Sequence, residues 1–144
     1  FTVEGIDLSS VMIQIARIKV PNGKFVLMDM RSLTYPDKTF DALLVAYSLI
    51  HIPSAEIPMT LMGFKRVLKH NGLVFLITQK GKPDQIVDEV LMNGEKMFFN
   101  FFTTKRIANV LTRNGFKIVW QNEIPINDPN VMSNAIIYTL AQAS

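Results

Sequence analysis

Two aspartates stand where a folded chain can use them for recognition. Asp7 closes one apolar stretch and Asp29 closes another, twenty-two positions later. A carboxylate just beyond a strand can accept hydrogen bonds from both hydroxyls of a nucleotide-like cofactor's ribose. Each such charge-assisted bond contributes about 1.5–3 kcal/mol. Asp29 can accept from an exocyclic amine such as that of adenine, with the Met30 N–H and apolar side chain beside it. Position alone leaves plainer readings open, Asp7 as a turn or capping residue and Asp29 as a solvated loop residue. His51 reads either as a general base for an acidic substrate proton or as a packing residue on a short helix. His70 reads as a surface residue in the last turn of a helix, where its charge suits the dipole. Phe98, Phe99, Phe101 and Phe102 can wall an apolar substrate pocket or fill the core, and the core reading is favoured. Lys65, Arg66 and Lys69 form a basic helix face that reads as solvated.

The elements that must position these residues alternate. Thr2 to Ile6 is a short strand ending at Asp7, and Ser9 caps a helix running to about Lys19. Val11, Met12, Ile15, Ala16 and Ile18 fit one broad buried face of that helix. Pro21-Asn22-Gly23 stops it, and Lys24 to Met28 is a second strand. After a turn at Tyr35 to Lys38, Phe40 to Tyr47 is nearly all apolar, which predicts a parallel strand covered on both faces. Ser48 to Ile52 predicts a short helical segment. Ser54-Ala55-Glu56 opens a helix ending at Lys69-His70-Asn71-Gly72, and Leu73 to Thr78 is another buried strand. Asp84 to Met92 reads as helical, and Met97 to Phe102 as strand or apolar loop. Thr103 or Thr104 caps a helix through Arg113, ended by Asn114-Gly115. Lys117 to Pro125 and Asn134 to Leu140 are strands, near enough across Asn127 to Asn130 for an antiparallel hairpin. The pattern predicts one α/β domain over residues 1–144, a Rossmann-like, mainly parallel sheet with helices on both faces and a closing antiparallel hairpin. Ligands in such sheets bind beyond the carboxyl ends of the strands, where Asp7, Asp29, Tyr47 and Gln79 fall.

Composition narrows the class. The 144 residues are 49% hydrophobic and 19% charged, enough to bury a core and too apolar for a disordered chain. Mean hydropathy is +0.22, yet no apolar run approaches the roughly 20 residues of a membrane span. A net charge of +3 is a mild bias and no nucleic-acid footprint. Without cysteine there is neither a disulfide framework nor a thiolate metal site, and two histidines argue against a histidine-rich one.

The order and spacing of several short segments resemble the class I S-adenosylmethionine-dependent methyltransferases. The resemblance lies in Glu4-Gly5-Ile6-Asp7-Leu8-Ser9 with Met12, in Asp29 through Leu33, and in Pro36 with Phe40-Asp41. It continues through Tyr47-Ser48-Leu49-Ile50-His51, Arg66-Val67-Leu68-Lys69 with Gly72, and Thr103 to Phe116. It implies S-adenosyl-L-methionine as cofactor, no metal, and a cytoplasmic enzyme. Asp7 would hold the ribose, with Leu8 and Met12 along the adenine pocket. Asp29 would bind the adenine amine and the Met30 backbone its ring nitrogen. Ala46 and Tyr47 would lie near the methionine part, leaving Tyr47 and His51 as the candidates for catalysis and Asp41 as structural. The chemistry asks the protein mainly to align a nucleophile with the methyl group and exclude water. A small-molecule acceptor is expected, since the chain shows no strong basic stripe.

The family's glycine-rich loop has no counterpart, for all seven glycines are isolated. The first element matches the family's second strand, so the expectation is a domain lacking the first strand, that loop and the following helix. The missing strand would lie between the Thr2–Ile6 and Phe40–Tyr47 strands, leaving edges open to self-association. A non-catalytic or subunit-pairing module and a nicotinamide-dependent oxidoreductase are the alternative readings; the pattern at Asp29 and Phe40-Asp41 argues against the latter.

Overall fold

Ser9 starts the first helix as expected, its Oγ accepting from the Met12 N–H at 3.3 Å. The fold is known from a computed structural model, which describes residues 2–89, 95–128 and 133–144. In chain order the elements are β1 (Glu4–Asp7), α1 (Ser10–Lys19), β2 (Lys24–Leu27), β3 (Phe40–Ala46), a 3-10 turn (Leu49–His51) and α2 (Ile57–Val67). β4 (Leu68–Gln79), β5 (Gln85–Glu89), β6 (Glu95–Phe99), α3 (Thr104–Arg113), β7 (Phe116–Pro125) and β8 (Ala135–Ala143) follow.

Among the described residues these form three sheets. β1 and β2 form a parallel pair, β5 and β6 an antiparallel pair, and the main sheet has the order β3-β4-β8-β7. In the main sheet β3 and β4 are parallel, and β8 runs antiparallel to both β4 and β7. β3, β4 and β7 therefore point one way and β8 alone opposes them, as the closing hairpin predicts. The fold is α/β and Rossmann-like.

The core lies between the main sheet, α2 and α3. Val74, Leu76, Ile137 and Ala141 project from one face of β4 and β8 onto Leu61 and Phe64 of α2 and Ile107 and Leu111 of α3. Phe99, Phe101 and Phe102 complete this core, as the favoured reading of the aromatic run requires. The alternate residues Phe75, Ile77, Tyr138 and Leu140 are only half-buried on the opposite face.

Four expectations need correction. The Asp84–Met92 stretch is not a helix where it is described: Gln85–Glu89 is β5, paired in register with β6, and residues 90–92 lie outside the described residues. Asp84 takes a left-handed backbone (φ 47°), which breaks any helical turn there and starts the strand. Next, α2 ends at Val67 rather than at Lys69–Gly72. The Lys38 and Thr39 N–H groups donate to the Arg66 and Val67 carbonyls, and Leu68 swings into extended backbone opposite Phe40. Lys69 and His70 thus sit in a bulge at the start of β4, between the Phe40–Leu68 and Ala42–Leu73 pairings. His70 is no helix-terminal residue.

The remaining corrections share one cause. Only Ile13 of α1 is buried, while Val11, Met12, Ile15 and Ile18 are exposed. Likewise β3 is not covered on both faces: Val45 is its one buried residue and Leu44 is 69% exposed. Neither β1 nor β3 has a partner on its second edge among the described residues, so nothing covers these apolar side chains. The loop expected at Asn127 to Asn130 is described only to Asp128.

Candidate active site

β1 and β2 bring the two acids together at one end of a parallel pair. Asp7 stands opposite Leu27, and its carbonyl accepts from the Met28 N–H at 3.1 Å. Asp29 is therefore two residues beyond Leu27, the neighbour of Asp7. Asp7 is exposed, and its Oδ1 accepts from the Ser9 N–H at 2.7 Å. It thus makes the expected turn while its second oxygen remains open. Leu8 and Met12 beside it are 65% and 51% exposed, an uncovered apolar surface next to a free carboxylate oxygen.

Asp29 is not a simply solvated loop residue. Arg31 grips it: the Arg31 N–H and Nε–H donate to Oδ1 at 2.9 and 3.1 Å, and Nε–H and Nη2–H to Oδ2 at 2.9 and 2.6 Å. These Arg31 hydrogen bonds hold the Asp29 carboxyl below its usual range, against the opposing effect of partial burial. Arg31 Nη1–H donates onward to Glu56 Oε2 at 2.9 Å, on the residue that precedes α2. Met30 packs its side chain against the core.

The end of β3 supplies the second half of the site. Tyr47 has a left-handed backbone (φ 53°), uncommon for an aromatic residue, and its N–H donates to the Ile77 carbonyl at 2.9 Å. Burial raises the Tyr47 hydroxyl above its ordinary value, with the nearby Tyr138 adding to the effect. Ser48 Oγ donates to the Ala46 carbonyl at 2.9 Å and so fixes the turn out of the strand. His51 is exposed, with Nδ1 3.2 Å from the Phe98 carbonyl and its ring 5.0 Å from that of Phe99. A carbonyl oxygen only accepts, so Nδ1 is the donor in this contact, and in the neutral ring Nε2 is then the acceptor.

A polar cluster behind His51 was not foreseen. Asn100 is fully buried, its Nδ2–H donating to Ile52 O at 2.7 Å and its N–H to Ile50 O at 2.6 Å. Arg106 Nη1–H donates to Asn100 Oδ1 and Phe101 O at 2.8 and 2.7 Å, and Nη2–H to Ser54 Oγ at 2.7 Å. Its guanidinium lies 4.5 Å from the Phe102 ring centroid. The signal in the sequence was Asn100 itself, one polar residue among four phenylalanines. The Arg31–Glu56 pairing was missed because the two residues lie 25 positions apart. The basic face dissolves in the structure: Arg66 binds Asp37 and the Leu33 and Tyr35 carbonyls, while Lys69 binds Asp41.

Residues 1–72 match the profile of a methyltransferase domain family, half of the chain. The chain belongs to the class I S-adenosylmethionine-dependent methyltransferase family. As a methyltransferase chain it is 31% identical over 75 residues to the demethylmenaquinone methyltransferase of Thermotoga maritima. That match covers 52% of this chain and only 32% of the relative. Among solved structures, a methyltransferase of Methanosarcina mazei superposes with a TM-score of 0.85 at 17% identity, over 98% of this chain and 81% of that one. The 1,6-didemethyltoxoflavin-N1-methyltransferase of Burkholderia thailandensis, with 1,6-didemethyltoxoflavin and S-adenosylhomocysteine bound, gives 0.74 at 16% identity, over 99% and 61%. These likenesses establish the methyltransferase fold. The family's cofactor is S-adenosylmethionine.

Proposed function

We propose that this chain carries the nucleoside-binding and acceptor-facing part of a methyltransferase acting on a small molecule. The observation that carries the reading is the pair of carboxylates just past neighbouring parallel strands, Asp7 with one oxygen open and Asp29 fixed by Arg31. They fit the nucleoside part of the family's cofactor, which supplies an electrophilic methyl group when bound. Asp7 would accept from the ribose hydroxyls, Asp29 from the adenine amine, and the Met30 N–H would donate to the ring. Leu8 and Met12 would lose their exposure against the adenine, and Ala46 and Tyr47 would border the methionine part.

His51 is the proposed proton acceptor, through the Nε2 that its bond to Phe98 O leaves free. Tyr47 would shape the acceptor pocket beside it. Two relatives whose names specify small-molecule acceptors, demethylmenaquinone and 1,6-didemethyltoxoflavin, support that class here. Among the described residues no helix is long and apolar enough to cross a membrane. A cytoplasmic enzyme that self-associates through the edges of β1 and β3 left unpaired among the described residues completes the proposal.

Calorimetric titration with S-adenosylhomocysteine tests it. Wild-type chain should give heat of binding that Asp7→Ala removes. Heat unchanged in Asp7→Ala, or no binding by the wild type, overturns the reading for this chain.

A further inference from the structure

Asp29 lies on a loop, and a loop carboxylate left to itself samples several rotamers. Here it cannot. Three N–H donors of Arg31 converge on its two oxygens, and the Nε–H is shared between them. Each oxygen thus takes two contacts; of the about four accepting sites of a carboxylate, the one freed when the shared Nε–H closes on a single oxygen is left for a ligand. The guanidinium is held in turn from its far side by Glu56, at the start of α2. The planar fork therefore ties the loop after β2 to the helix that follows the β3 turn.

We propose that Arg31, anchored by Glu56, is a positioning residue that makes Asp29 an acceptor-only reader of a ligand amine and so sets selectivity for a 6-amino over a 6-oxo purine. The inference rests on the reading of Asp29 as the adenine-binding acid. Its physical basis is simple. An ionised, clamped carboxylate can accept from an amine and has no proton to give to a carbonyl. A freed carboxylate can rotate, and when protonated it donates to a carbonyl instead. The charged groups in the clamp are Asp29 and Arg31 on the loop and Glu56 from α2. The lowered Asp29 titration agrees with this arrangement.

The test compares S-adenosylhomocysteine with its 6-oxo analogue, S-inosylhomocysteine, by calorimetry. Wild type should favour the amino ligand by about tenfold or more, the scale of one charge-assisted hydrogen bond. Arg31→Gln and Glu56→Gln should reduce that ratio, the former more, because the freed carboxylate loses its fixed rotamer, while Arg31→Lys falls between because it keeps charge without the fork. In ligand-free protein the Asp29 carboxyl carbon, followed by NMR, should titrate at higher pH in Arg31→Gln. A merely structural role would weaken both ligands alike and leave the ratio intact; that result overturns the inference and spares the proposed function. Equal binding of both ligands by wild type also overturns it. Binding of neither ligand by wild type overturns both readings. Should Arg31→Gln fail to fold, Glu56→Gln, on an exposed residue, carries the same comparison.

Discussion

Arg106 shows at the residue scale how a cation is tolerated at the edge of the core. Burial disfavours its charge, and three hydrogen bonds and the Phe102 ring offset that cost. Arg106→Ala would leave Asn100 Oδ1 and the Phe101 carbonyl short of a donor. The expected loss is about 2–3 kcal/mol, read from urea midpoints, and Arg106→Lys should not restore it. Gly115 is a second special position, with φ +80° and the Lys65 Nζ crowding the place where a Cβ would stand. The lysine tip can move away but the backbone cannot, so Gly115→Ala should cost about 1 kcal/mol or more in the same assay. The pH dependence follows from Asp84, whose carboxyl is lowered chiefly by its hydrogen bonding with Ser54. A folded-state value below the unfolded one gives stability that is present above about pH 4 and lost as pH falls through the folded value. Asp84→Asn tolerates the left-handed backbone and removes the titration. Its urea midpoint should therefore fall less steeply with acid than that of wild type.

At the scale of elements, identical caps have unequal consequences. Ser9 Oγ and Thr103 Oγ1 each accept from the N–H three residues on, at 3.3 and 3.1 Å. α3 buries Ile107 and Leu111 in the main core, whereas α1 buries only Ile13. Thr103→Ala should lower global stability by about 1 kcal/mol. Ser9→Ala should accelerate amide exchange within α1 and leave the unfolding of the main sheet almost unchanged. Exchange rates in α3 that respond to Ser9→Ala as strongly as those in α1 would contradict this division. The helix ends show the same dependence on partners: the carbonyls of Arg66 and Val67 are taken by the loop before β3, and that capture ends α2.

At the scale of the whole molecule, the edges of β1 and β3 that are unpaired among the described residues lie with the exposed Val3, Met12 and Leu44 in one uncovered part of the fold. Unpaired strand edges bordered by apolar side chains favour association. Sedimentation velocity should show mass increasing with concentration, and Leu44→Lys should shift the distribution toward monomer. A chain that remains monomeric at every concentration would exclude association through these edges.

The sequence by itself determined what depends on near neighbours. The caps Ser9 and Thr103, the strands ending at the two aspartates, the α/β order and the opposed last strand were legible because turn chemistry and apolar runs act within a few residues. The position of Asp7 and Asp29 at strand ends followed from the same local rules. Tertiary structure decided the rest. Pairing with β6 made Gln85–Glu89 a strand, and capture of its last carbonyls cut α2 short. Among the described residues little packs on the apolar side chains of α1 and β3, which stay exposed despite their composition. The Arg31–Glu56 and Asn100–Arg106 contacts join residues 25 and 6 positions apart, and the Arg106–Ser54 contact spans 52. No local pattern encodes such pairings, because their geometry exists only once helices and strands have been packed against one another.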